Sequence, residues 1–407
     1  MHLVYADNNA TTRTAPEVIE AMQPYLSEVF FNPSSMYEPA RRASEAVGLA
    51  RAGIARFLGA DEKEIIFTSC ATESNNAAIA GVAKAAPARR HIVTTAVEHP
   101  AVLEVCREMA RAGHDVDFVP VHRDGSLDMG AYVRALRRDT LLVTVMHANN
   151  ETGVIFPIAE LARIAKATDP GIVFHTDATQ TAGKLPIDMA GEFRDIDLLS
   201  FSGHKLHAPK GVGALYVRRG TPWRPFMIGG HQEGGRRAGT ENVAFMVALA
   251  AAVRLAAERP AEDEARIARM RDRLQAALEE RIPHVEVNGK GAPRLPNTLN
   301  IACHYIEGEG ILYQLSDAGI CASSGSACTS GSLEPSHVLR AMQVPFTAVH
   351  GSVRFSLSRY TTDADIDRII EVFPGVAAAL RRLSPYWDAA RNAPREGAAP
   401  AAAATRP

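Results

Sequence analysis

Asp197-Leu198-Leu199-Ser200-Phe201-Ser202-Gly203-His204-Lys205 places a strand-like apolar run directly before a lysine, and Pro209-Lys210-Gly211-Val212-Gly213 leads into a second such run. Runs of this kind recur along the chain. Candidate strands lie at 65–68, 91–95, 116–119, 141–146, 172–176, 197–201 and 213–217. Helical patterns at 74–86, 100–112, 129–137 and 158–167 separate them. Strands that are apolar on both faces and alternate with helices indicate an α/β fold, with a mostly parallel seven-stranded sheet covered on both sides. A lysine just past a strand end of such a sheet sits where ligands bind.

The 407 residues suffice for this large domain, expected over 14–258, and a smaller α+β domain. A long charged helical pattern over 261–282 marks the crossing. The smaller domain is expected to combine 1–13 with 259–385. It carries strand-like runs at 298–302 and 353–358, and a helix after Thr361-Thr362-Asp363-Ala364-Asp365, whose threonines and aspartates suit an N-cap. The tail 386–407 is small and proline-punctuated and is expected to be disordered. An apolar fraction of 46% and a charged fraction of 22% are ordinary for a globular protein. A net charge of -2 gives no basic footprint for nucleic acid. No apolar run is long enough to span a bilayer, and the opening residues do not resemble a secretory signal, so a cytoplasmic protein with reduced thiols is expected.

Other elements surround the lysine. Phe174-His175-Thr176-Asp177-Ala178 ends another strand, with Gln180 just beyond. An acidic residue there suits the ring nitrogen of a pyridoxal cofactor, and it also suits a helix N-cap. Ser69-Cys70-Ala71-Thr72-Glu73-Ser74 joins a strand to a helix start, where free N–H groups form an anion site. Glu98-His99-Pro100 follows a third strand, and a histidine there can stack on a planar ring. A Schiff-base lysine must be desolvated or otherwise activated. His204 and His207 do not read as a metal pair, because Pro209 argues against the helix that would align them and no acidic third ligand is near. Cys70, Cys106, Cys303 and Cys321 read as small buried hydrophobes. The fifth cysteine, Cys328, lies in Ser323-Ser324-Gly325-Ser326-Ala327-Cys328-Thr329-Ser330-Gly331-Ser332. Residues this small cannot build a core, so a mobile loop over about 323–333 or a very close backbone approach is expected, and its lone thiol reads as either a bystander or a travelling nucleophile.

These residues, with Asp7-Asn8-Asn9-Ala10-Thr11-Thr12, Asn32-Pro33-Ser34-Ser35, Asn149-Asn150-Glu151-Thr152-Gly153, Arg236-Arg237-Ala238-Gly239-Thr240-Glu241-Asn242 and Val353-Arg354-Phe355-Ser356, make the chain resemble the pyridoxal-phosphate-dependent cysteine desulfurases, specifically the NifS type that serves nitrogenase. The resemblance implies a fold-type I aminotransferase-like homodimer binding pyridoxal 5'-phosphate. Lys205 would hold the cofactor covalently, Asp177 would pair with its ring nitrogen, Gln180 with its phenolic oxygen, and His99 would stack on the ring. Ala71, Thr72, Ser202, Gly203 and His204 would surround the phosphate, and Thr240 would reach the cofactor phosphate of the neighbouring subunit. Asn150 and Arg354 would hold the L-cysteine substrate, Arg354 by its planar fork. Cys328 would accept the sulfur as a persulfide, with His99 handling proton traffic, and L-alanine would leave. No intrinsic metal is implied, although Cys328 could ligate an iron–sulfur cluster transiently. The implied sulfur acceptor is an iron–sulfur scaffold protein, NifU-like. A housekeeping iron–sulfur desulfurase and a selenocysteine lyase-like enzyme are the alternatives.

Overall fold

A computed structural model describes residues 3–258, 260–324, 335–388 and 390–395. Seven strands form the central sheet in the order Ile65–Thr68, Gly213–Val217, Leu198–Ser202, Val173–Asp177, Thr140–Thr144, His91–Thr95, Asp115–Val119. Gly213–Val217 runs antiparallel to both neighbours, and the other neighbouring pairs are parallel. Six of the seven strands are buried along their length, as continuous β-branched and aromatic runs require; the edge strand Asp115–Val119 is mostly exposed. Gly213 opens its strand where a side chain would not fit. A Cβ there would lie 2.7 Å from the Phe201 carbonyl oxygen and 2.9 Å from the Cys70 carbonyl carbon.

One apolar cluster packs the sheet against Glu38–Leu58 and Val243–Glu258 on one side. Another packs the opposite face against Ala71–Ala85 and Pro100–Arg111. A third, separate cluster joins Val4 and Ala6 to residues of Pro260–Arg281, Thr298–Cys303, Gly308–Asp317, Ser352–Ser356 and Asp363–Leu383. The last of these helices starts at a capping box. Thr362 Oγ1 accepts from Asp365 N, and the Asp365 carboxylate accepts from Thr362 N. Here a three-stranded antiparallel sheet (Val285–Asn288, Thr298–Cys303, Ser352–Ser356) is flanked by the parallel pair Val4–Tyr5 and Ile320–Cys321.

The expectation of disorder from 386 onward is revised for the part that is described. Trp387–Asp388 pairs antiparallel with Ala393–Pro394, and Trp387 is only 2% exposed beneath the Arg381 guanidinium, 4.7 Å from its ring centre. Residues 396–407 lie outside the described residues, as does 325–334, which carries Cys328. Among the described residues, no helix is long and apolar enough to cross a membrane, and no group of metal-ligating side chains occurs.

Candidate active site

Five parallel strands end at one edge of the sheet, and the residues just past them enclose a cavity of about 310 Å³. Ala71, Thr72, His99, Asn150, Asp177, Gln180, Ser202, His204, Lys205 and Arg354 all line it. Gly203 does not. Its N–H is bonded to Val212 O, and a Cβ on it would meet Ala208 at 2.9 Å, so it lets the turn pack behind the cavity wall. Thr240 is exposed and away from the cavity.

The Lys205 ammonium donates to the backbone oxygens of Asn9 (2.6 Å) and Ala10 (2.7 Å). Asn9 is buried and ties both apolar lobes to this point. Its side chain bonds Thr298 Oγ1, Asn150 O and Asn297, and its N–H donates to Ser356 Oγ. The polar turn at 7–12 is therefore a buried fastening as well as a lining.

Asp177 ends its strand with Oδ1 accepting from Thr179 N (2.9 Å) and Oδ2 from Asn75 Nδ2 (2.7 Å). Asn75 was not anticipated from sequence. It stands four residues past Ala71 on the same helix face, and that spacing is the signal that could have found it. At the helix start, Cys70 makes no side-chain cap, while Glu73 accepts from Ser69 N (2.8 Å) and pairs with Arg237 (2.8 Å). That ion pair holds the Glu73 carboxyl below its ordinary range despite partial burial, and it binds the segment before Thr240 to the anion turn.

His99 caps its helix by accepting at Nδ1 from Ala101 N (3.1 Å). A neutral ring accepting there carries its proton on Nε2. Burial, then the nearby Lys205 and His337 charges, lower its pKa against the pull of Asp177. The geometry makes His99 a hydrogen-bond donor toward the cavity at neutral pH, and its Nδ1 lone pair is already used. His175 bonds Thr144 Oγ1 (2.8 Å) and Ser200 Oγ (3.0 Å) and is pushed down to about 4 by burial, so it is a structural neutral ring beneath Asp177.

Arg354 is 2% exposed. Nη2 donates to Asp7 Oδ1 (2.7 Å) and Nη1 to Asn150 O (2.9 Å), while Nε is buried without a partner among the described residues. Its strand also pairs with Ser323, at the root of the 325–334 segment. The other root is fastened too. Ser336 caps the His337–Ala341 helix and donates to Glu151, and His337 Nε2 donates to Glu98 O (2.9 Å). Of the thiols outside that segment, Cys106 and Cys303 are buried and pushed up to about 12 by desolvation, which leaves them inert. Cys70 and Cys321 are partly exposed, unlike the expectation. His204 bonds Thr11 Oγ1 (3.1 Å), and the His207 ring donates to Arg13 O (2.9 Å). Both are pushed down to about 4, chiefly by burial, and they do not converge as metal ligands.

The family description "Aminotransferase class-V" matches residues 4–369. The chain is 54% identical over 386 residues to "Cysteine desulfurase" of Trichormus azollae, covering 95% of this chain and 96% of that one. It is 53% identical over 385 residues to "Cysteine desulfurase NifS" of Azotobacter vinelandii, covering 94% and 95%. A solved structure titled "NIFS-LIKE PROTEIN" superposes with a TM-score of 0.87 at 36% identity, covering 93% of this chain and all of that one.

Proposed function

The chain belongs to the class-V aminotransferase family and is a NifS-type cysteine desulfurase, and from that premise we propose that it uses pyridoxal 5'-phosphate to pass sulfur from L-cysteine to Cys328 for the iron–sulfur clusters of nitrogenase. The observation that carries this reading is one cavity bearing Lys205, Asp177 and an uncapped helix start, with donors whose bonds are unmade. Ser202 Oγ and Thr179 Oγ1 are buried without hydrogen-bond partners among the described residues, and both residues line the cavity beside Ala71 and Thr72. Buried hydroxyls are nearly always satisfied, and a phosphate with its ring would satisfy such a site. The residues fit the cofactor.

Lys205 would hold it through Nζ, Asp177 at the ring nitrogen, Gln180 at the phenolic oxygen, and Ala71, Thr72, Ser202 and His204 at the phosphate. His99 would cover the ring face. Thr240, exposed in one subunit, would reach the phosphate of a second subunit in a homodimer. When bound, the cofactor supplies an electron sink for the substrate's Cα. Arg354 orients the L-cysteine carboxylate through its remaining N–H groups, with Asn150 beside it. Lys205 Nζ takes the α-proton. His99 donates from Nε2 and stays neutral. The Cys328 thiolate forms an S–S bond as the substrate C–S bond breaks, and the electron pair of that bond stays with the carbon skeleton, which is protonated to L-alanine.

Replacing Cys328 by serine tests the assignment. The expected result is retention of the cofactor's visible band with loss of persulfide and L-alanine formation from excess L-cysteine. Unchanged turnover would overturn it. Lys205→Ala is expected to lose the band. A pull-down against the NifU-like scaffold and the housekeeping scaffold, both cytoplasmic, decides the acceptor, with preferential capture of the former expected.

A further inference from the structure

Lys184 stands behind the catalytic lysine and takes no part in the chemistry above. We propose that Lys184 is a positioning residue for this site, acting through Gln180 to set the hydrogen bonds and charge around Lys205. The inference rests on Lys205 being the cofactor lysine.

Four groups form a chain. Lys184 Nζ donates to Gln180 O (3.0 Å) and Gln180 Oε1 (3.3 Å). Gln180 Nε2 donates to Asn9 O (3.1 Å), the same oxygen that accepts from Lys205 Nζ at 2.6 Å. An ammonium has donors only, so it requires the amide oxygen of Gln180 to face it. The NH₂ end then turns to Asn9 O, and its second hydrogen is available to the cavity, where an anionic ligand oxygen would sit. Asn9 O, an acceptor only, asks for the same orientation from the other side, so Lys184 and Asn9 O together fix the amide.

Lys184 and Lys205 also line a second, smaller cavity of about 80 Å³. Desolvation, then the Lys205 and Arg354 charges, push Lys184 down to about 7. The same repulsion acts back on Lys205, opposing the two carbonyls that hold its ammonium. The other ionisable groups around the pair are Asp177 and His99, which share the larger cavity with Lys205, His204 and His207, which Lys184 lowers, and Asp263, Glu264 and Arg359 across the small cavity. Asp263 is already paired with Arg359 at 3.0 Å.

The test is a pH titration of the visible band in the purified holoenzyme. Removing the neighbouring cation in Lys184→Met or Lys184→Gln is expected to raise the band's midpoint by about half a pH unit or more, a threefold or greater gain in proton affinity. Lys184→Arg keeps a cation there at every pH and is expected to hold the midpoint at or below that of the wild type. If Lys184→Met does not fold, Lys184→Gln decides by the same criterion. Folded neutral variants that titrate with the wild type would overturn the proposal. A wild-type protein without a band would instead overturn the cofactor reading beneath it.

Discussion

Asn75 holds one oxygen of the Asp177 carboxylate, and its loss leaves a buried charge short of a partner. Asn75→Ala is expected to weaken pyridoxal phosphate retention about tenfold, from about 1.5 kcal/mol for a hydrogen bond to a charged group, measurable by dialysis against buffer without cofactor. Arg354→Lys should raise KM for L-cysteine by about 10- to 100-fold with a smaller change in kcat, because a point charge cannot serve Asp7, Asn150 O and a carboxylate together. Steady-state kinetics over a substrate series checks this. At this scale the sequence was legible wherever a residue sits within a recognisable strand-end motif, as with Lys205, Asp177 and His99. Asn75 and Lys184 carry no such mark, since their importance lies in the partners that folding brings to them, and Asn9, although it stands in the 7–12 motif, shows its fastening role only through the residues it bonds.

Helix Asp363–Leu383 shows an element whose start was readable residue by residue, since the Thr362–Asp365 box is written in four adjacent positions. Thr362→Ala should lower stability by about 1 kcal/mol, read as a shift in the urea midpoint of unfolding, while the visible band is unchanged in the native range. Val243–Glu258 was not readable in the same way. It is apolar at almost every position because it is buried between the sheet and Glu38–Leu58, so no polar stripe gives it a helical period. The strand boundaries were found to within one or two residues, since both faces of those strands are buried and their apolar runs end where the chain turns.

Across the whole molecule, the break in pattern near 260 coincides with the start of Pro260–Arg281, and Val4 and Ala6 join that helix in one apolar cluster through contacts hundreds of residues apart. Two buried carboxyls and the buried neutral histidines act on the pH response in opposite directions. Burial pushes Glu98 up to about 8 and Glu151 up to about 7. The unfolded chain releases these protons near pH 4.5, so across the window from about 4.5 to 8 the native state holds protons that the unfolded state has lost. The contribution of these two groups therefore falls as pH rises through that window, by up to about 1.4 kcal/mol per unit per group, while His147, His175, His204 and His207, pushed down to about 4 by burial, contribute a slope of opposite sign between about pH 4 and 6.5. Glu98→Gln removes one of the two, and its urea midpoint should decline less steeply between pH 5.5 and 8 than that of the parent protein. Parallel slopes would show that Glu98 is charged in the native state. Asn9 carries a different consequence, for the order of events on the ribosome. Its carbonyl receives Lys205, yet its side chain is held by Thr298, made 289 residues later, and its N–H by Ser356, later still. Although the sheet can begin to fold while synthesis continues, nascent chains stalled before residue 356 should retain pyridoxal phosphate less well than the full chain.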